Sequence, residues 1–230
     1  MKNASFLGLL GALLLLSACS KDESEGAIRL RLQAVNPPAA SAKSAANAVF
    51  TDFRISIRDV VFKNDDDPNS SLDTDEIQFR GPYQIDLLNE GDALTQTIGT
   101  AVVPDGMYKE LRFKFHKDED LPASDALFDR SIFIAGTVDG KPFEFWHDTS
   151  ENLDVGRSTG VAVIDGVVTF TVQFDLTQFL SSLNTIDLST AADGNGDGLI
   201  EIHPNDSDGN QEIAQALKEN IKATADIINQ

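Results

Sequence analysis

The chain is expected to fold as a mainly β protein, an antiparallel β-sandwich of the immunoglobulin or transthyretin kind, with a short helix and a C-terminal helix. Three observations predict this. Apolar and polar residues alternate with period two in several segments, Asp-Gly and Pro-Asp-Gly turn signals separate them, and helical periodicity appears only near the C-terminus.

In chain order, residues 27–35 set Ile28, Leu30 and Leu32 on one side and Arg29, Arg31 and Gln33 on the other, a half-buried strand. Residues 36–48 are rich in Pro, Ala and Ser without apolar periodicity and read as a loop. Residues 49–62 give the strongest strand pattern. Phe53, Ile55, Ile57 and Val61 share a face, Arg54, Ser56 and Arg58 oppose it, and Asp59 interrupts the inward row, which predicts a bulge. An acidic loop at 64–76 precedes two short strands within 77–88, split by Gly81-Pro82. A strand at 97–103 leads into the turn Pro104-Asp105-Gly106, and 108–116 alternates again. Asp139-Gly140 and Asp165-Gly166 each predict a type I′ hairpin, because that turn needs positive φ at both central positions. Asp175-Leu176-Thr177-Gln178 reads as a capping box for a short helix at 179–183. The last helix is expected over 210–228, with Ile213, Leu217, Ile221 and Ile228 on one stripe. The total is roughly eight to ten strands.

Composition narrows the partners. With 18 Lys and Arg against 37 Asp and Glu, the formal charge of -19 repels phosphate backbones, so nucleic acid is excluded and divalent cations are favoured. A hydrophobic fraction of 41% supports a real core, and 14 Phe against one Trp and two Tyr assign Phe to fill it. The single cysteine allows no disulfide within the chain.

That cysteine ends a leader. Lys2 precedes the apolar run 6–16, too short to span a bilayer, and Leu16-Ser17-Ala18-Cys19 closes it. The tetrapeptide resembles the lipobox of bacterial lipoproteins, which implies lipidation of Cys19 and a membrane anchor. Lys21-Asp22-Glu23 resembles the acidic signal that sends some lipoproteins to the outer face of the outer membrane. The expected organisation is a signal peptide at 1–18, an acidic tether at 19–26, a sandwich at 27–188, and a segment at 189–230 that carries a calcium-type loop and the helix.

Three stretches then form a wider pattern: Phe53-Arg54-Ile55-Ser56-Ile57-Arg58-Asp59-Val60, Tyr83-Gln84-Ile85-Asp86-Leu87-Leu88, and 104–112 from Pro104-Asp105-Gly106 to Leu111-Arg112. Behind a lipobox, they resemble the DUF4382 family of exported β-sandwich lipoproteins over about residues 27–121. The resemblance implies fold and location, and no activity. A weaker likeness runs to periplasmic copper-binding proteins of the MbnP type. Those lean on Trp, Met and His, of which this chain has one, two and three.

The most specific constellation is Asp193-Gly194-Asn195-Gly196-Asp197-Gly198-Leu199-Ile200-Glu201, which resembles the first nine positions of an EF-hand or dockerin calcium loop. Asp193, Asn195 and Asp197 would supply alternate oxygens, Gly198 the sharp turn, Leu199 a carbonyl and Glu201 a further ligand. The twelfth position is Pro204, so closure falls to Asp206 or Asp208. The expected cofactor is therefore a structural calcium ion; the competing reading is a polar surface turn.

Elsewhere, Asp65, Asp66, Asp67, Asp73, Asp75 and Glu76 read as a solvated charge run. Arg29, Arg31, Arg54, Arg58, Arg112 and Lys114 suit either an acidic-glycan face or an ordinary polar sheet face. Trp146, expected to point outward, is a candidate sugar platform. No nucleophile motif or paired histidine spacing occurs among His116, His147 and His203, so no catalytic residue is named. The function classes left open are a binding module for glycan or a cell-surface protein, an extracellular polymer hydrolase, and a purely structural envelope component.

Overall fold

Alternating burial decides where each strand lies. The computed structural model describes residues 24–36 and 48–228, so the Cys19 lipobox, the tether up to Glu23 and the loop expected at 36–48, except its two end residues, lie outside the described residues. Two sheets face each other. One has the order β12-β10-β1-β5 and combines β1 (Glu25–Val35), β5 (Thr95–Pro104), β10 (Val167–Asp175) and β12 (Ala225–Ile228). The other runs β11-β8-β7-β2-β3-β4. Its strands are β2 (Ala48–Asn64), β3 (Tyr83–Asn89), β4 (Asp92–Ala93), β7 (Ile132–Val138), β8 (Lys141–His147) and β11 (Ile200–Ile202). β6 (Gly106–Phe115) joins the second half of β2, and β9 (Asn152–Val163) adds outside β6.

Phenylalanine fills the gap between the layers, as its abundance predicts. Phe53, Phe113, Phe115, Phe143, Phe145, Phe170, Phe174 and Phe179 are fully buried. Edge-to-face pairs cross between the sheets, Phe53 with Phe174 at 5.6 Å and Phe62 with Phe170 at 5.9 Å between ring centroids. Such pairs add about 0.5–1.5 kcal/mol each beyond the area they bury.

The sandwich is as expected, but its sheets are mixed. β1 pairs in parallel with β10, Leu30 opposite Phe170, and β11 pairs in parallel with β8. The bulge in β2 is present: Asp59 has φ 54° and the register with β6 shifts between Arg58 and Val61. One extra residue reverses the facing of the rest of the strand, so Val60 and Phe62 join the core cluster and Val61 does not.

Three local expectations are corrected. Asp139-Gly140 makes the hairpin, with φ 49° and 80°. Asp165-Gly166 does not: β9 belongs to one sheet and β10 to the other, and the turn crosses between layers with positive φ only at Asp165. Residues 179–183 are not helical. Asp175 does accept the Thr177 N–H, but the chain continues in i→i+3 turns, Phe179 N–H to Leu176 O and Ser181 N–H to Gln178 O. The last helix, α1 (Gln211–Ala223), buries Ala214, Leu217 and Ile221 and stops early, and Ile228 instead pairs with Thr171 in β12. The C-terminal segment therefore contributes a strand to each sheet.

Candidate functional site

A cavity of about 750 Å³ opens at one end of the sandwich, where β2 ends and β6 begins. Its walls are Phe62, Val103, Pro104 and Tyr108; its polar lining includes Asn64, Asp66, Asp67, Ser70, Asp75, Glu76, Gln78 and Asp105. Among the described residues, no lysine or arginine lines it. Most of these groups come from the 64–76 loop, so that stretch is a structured wall rather than a solvated run. Cations of the sheet hold it in place: Arg112 bridges Asp73 and Asp154, while Lys63 and Lys109 both reach Asp65. Side-chain capping completes the loop. Asp66 accepts the Met107 N–H at 2.9 Å, Asp67 accepts that of Asn69, and the Ser70 hydroxyl donates to Asp75.

Tyr108 reports the field in the cavity. Its ring is buried and its hydroxyl donates to the Pro104 carbonyl at 2.8 Å. Burial first, then the charges of Asp75, Asp105 and Asp67, push its phenol up to about 12. The carboxylates that line the cavity are acceptors for hydrogen-bond donors.

The same kind of ion pairing occupies Arg54, Arg58 and Arg112, half of the basic face. Arg54 binds Asp86 at 2.7 Å and Asp125 at 2.9 Å, and Arg58 binds Asp59. Arg54 stays protonated beyond its ordinary range: its carboxylate contacts outweigh the desolvation that opposes them.

Among the residues singled out from the sequence, the calcium-type loop is assembled as a unit. Asp193 accepts the N–H of Gly196 at 2.8 Å and of Gly198 at 3.1 Å, Asn195 accepts that of Asp197, and Asp197 that of Leu199. Gly198 has φ 92°, the left-handed turn that the motif requires. Ile200 is buried and opposes Phe143 in the sheet. Glu201 accepts weakly from the Asn195 amide at 3.4 Å. Asp206, by contrast, faces away. Its buried carboxylate accepts the N–H of His203, Gly209 and Asn210 and shapes the turn into α1. Asp208 closes the loop in its place, taking the N–H of Gly194, Asn195 and Glu201, which hold its carboxyl below the usual range.

Trp146 lies on the outer side of β8, paired with Phe133. Its indole stacks on His203, 4.2 Å between centroids and 17° between planes, and the Arg130 guanidinium sits 4.6 Å from the ring centroid. Burial pushes His203 and Arg130 toward their neutral forms. The ring thus works as an internal clasp that ties β11 to β8.

No family model matches the chain, and comparison with curated proteins and with solved structures finds no similar protein. The cavity escapes sequence reading because Ser24, Phe62, Asp75 and Asp105 meet only through the sheet topology. The one signal in the sequence is the Pro, Ser and Asn interspersed among the acids of 64–76, a turn composition rather than a bare charge run.

Proposed function

We propose that the protein is a lipid-anchored outer-membrane lipoprotein, exposed at the cell surface, that acts as a binding module for a neutral or amine-bearing glycan. The observation that carries this is the cavity, with its carboxylates, amides and Ser70 set against an aromatic wall and no cation among the described lining residues. Sugar hydroxyls are donors that carboxylates receive well, and charge-assisted bonds are the stronger ones. A uronic acid would meet five carboxylates and, among the described lining residues, no cation, so acidic glycans are rejected. The volume falls within the range of about 300–1,000 Å³ common to small-ligand sites. Calorimetric titration with neutral, amino and uronic oligosaccharides tests it. Binding is expected for the first two classes and weakens about tenfold in a Glu76→Gln, Asp67→Asn variant, because two charge-assisted bonds become neutral ones. Preference for uronic sugars, or equal affinity in the variant, contradicts the reading.

We also propose that the 193–199 loop takes a structural calcium ion, on the strength of the Gly198 turn and the Asp193 carboxylate that spans it. Among the described residues no three His, Cys, Asp or Glu side chains converge on one point, but this ligand set draws on an amide and a carbonyl as well. Each Asp193 oxygen spends one lone pair on an N–H and keeps another for a cation.

A further inference from the structure

The end of the sandwich where the chain enters has an unusual surface. Among the described residues four large apolar side chains are more than half exposed: Val102 at 61%, Ile164 at 64%, Val167 at 56% and Leu183 at 67%. Three of the four sit together. Val102 and Val167 flank Ala27, each its partner in the ladder, on the outer face of the β12-β10-β1-β5 sheet. Ile164 tops the turn between β9 and β10, beside them.

The same place is where β1 starts. Ser24 accepts the N–H of Asp105, and Ala27 donates its own to Gly166. The two turns that cross between the sheets thus grip the entering strand, and the Asp165 N–H donates to the Asp105 carboxylate across them. From Cys19 to Ser24 is five residues, so Cys19 lies no more than about 18 Å from Ser24, even with the chain fully extended. With Cys19 lipidated, the entry of β1 would hold this end of the domain close to the bilayer.

We propose that the Val102–Ile164–Val167 tip is a membrane-docking surface that seats the domain upright on the leaflet holding its lipid anchor. The inference rests on lipidation at Cys19. The occupant is a leaflet of zwitterionic headgroups, because Glu25, Asp105 and Asp165 beside the patch oppose anionic lipid. Apolar side chains at such a tip reach the boundary between headgroups and acyl chains, which lies about 5–10 Å deep. The lipid chains supply the affinity and the tip fixes the orientation.

The test uses the full, lipidated protein in phosphatidylcholine vesicles that contain nitroxide-bearing lipid. Lipidation consumes the Cys19 thiol, so Ile164→Cys or Leu183→Cys gives a single site for an environment-sensitive fluorophore. Leu183 is the comparison, being equally exposed and beyond the far end of β10. The label at 164 is expected to be quenched several-fold more than the label at 183. Val102→Asp with Val167→Asp should abolish the difference while the protein still floats with the vesicles. Equal quenching at 164 and 183 on floating protein overturns the docking surface and leaves the anchor intact. A protein that carries no lipid and does not float overturns the anchor, and the docking proposal falls with it.

Discussion

Two loops of this protein are rich in aspartate, and they are held in different ways. The 64–76 loop has caps of its own, such as Asp67 with the Asn69 N–H, and is also tied down by cations that reach up from the sheet, Arg112 to Asp73 and both Lys63 and Lys109 to Asp65. The 193–209 loop holds itself. Asp193, Asn195, Asp197, Asp206 and Asp208 each accept backbone N–H groups from within the loop or its flanks. Glycine makes the difference. Gly196, Gly198 and Gly209 adopt positive φ, which lets successive N–H groups turn toward one carboxylate, whereas the 64–76 stretch contains no glycine. Similar acid content thus yields a cavity wall in one place and a tightly turned, self-capped loop in the other.

The largest effect should come from the self-held loop. Asp208→Ala orphans three N–H groups at once, and stability should fall by about 3 kcal/mol, since each unmet partner costs roughly 1–3 kcal/mol when buried. Denaturant titration checks this, and a loss below about half a kcal/mol would mean that water replaces the carboxylate easily.

Glu151 separates the loop from the helix behind it. It binds Lys218 at 2.5 Å and Lys222 at 2.8 Å, so α1 is clamped to the start of β9. Those two bonds hold its carboxyl down to about 2 against an ordinary 4.5. A depressed carboxyl contributes stability that is complete above its unfolded value and is lost as the pH falls. The clamp should therefore weaken between about pH 4.5 and 2. Glu151 is partly exposed and Lys218 keeps Glu219, so Glu151→Gln is expected to cost about 1–2 kcal/mol near neutral pH. Its stability should also vary less than the wild type's over that acid window. Parallel pH curves would remove Glu151 from the account.

The smallest effect belongs to the salt-tied loop. Arg112→Met breaks the pairs with Asp73 and Asp154 and should cost about 1 kcal/mol in dilute buffer, less in high salt because surface pairs are screened. The Asp208→Ala loss should be nearly independent of salt. If salt changes both losses alike, the two loops are not held differently.

How much of this was legible depends on the range of the interactions. The bulge at Asp59, the Asp139-Gly140 hairpin and the Gly198 turn are local, and each showed in a few consecutive residues. The parallel pairing of β1 with β10 joins Leu30 to Phe170, and no local pattern specifies a partner so remote. Asp165-Gly166 misled because a turn signal fixes a reversal and not which sheet receives the next strand. The stripe Ile213, Leu217, Ile221 continues in phase to Ile228, yet Thr224 ends the helix and the ladder with β10 claims Ala225–Ile228. Acid loops look alike in composition, and only the positions of their glycines and of distant cations set them apart.

The most direct test of this division is the response to calcium. Melting of the soluble domain should be followed with and without millimolar calcium in three proteins: wild type, Asp193→Ala with Asp197→Ala, and Asp66→Asn with Glu76→Gln. An ion at about 100 times its Kd stabilises by about 2.7 kcal/mol, a shift of several degrees. The account predicts that shift in the wild type and in the 66/76 variant, and its loss in the 193/197 variant. Equal shifts in all three would show that calcium only neutralises a diffuse acidic surface, and would contradict separate roles for the two loops.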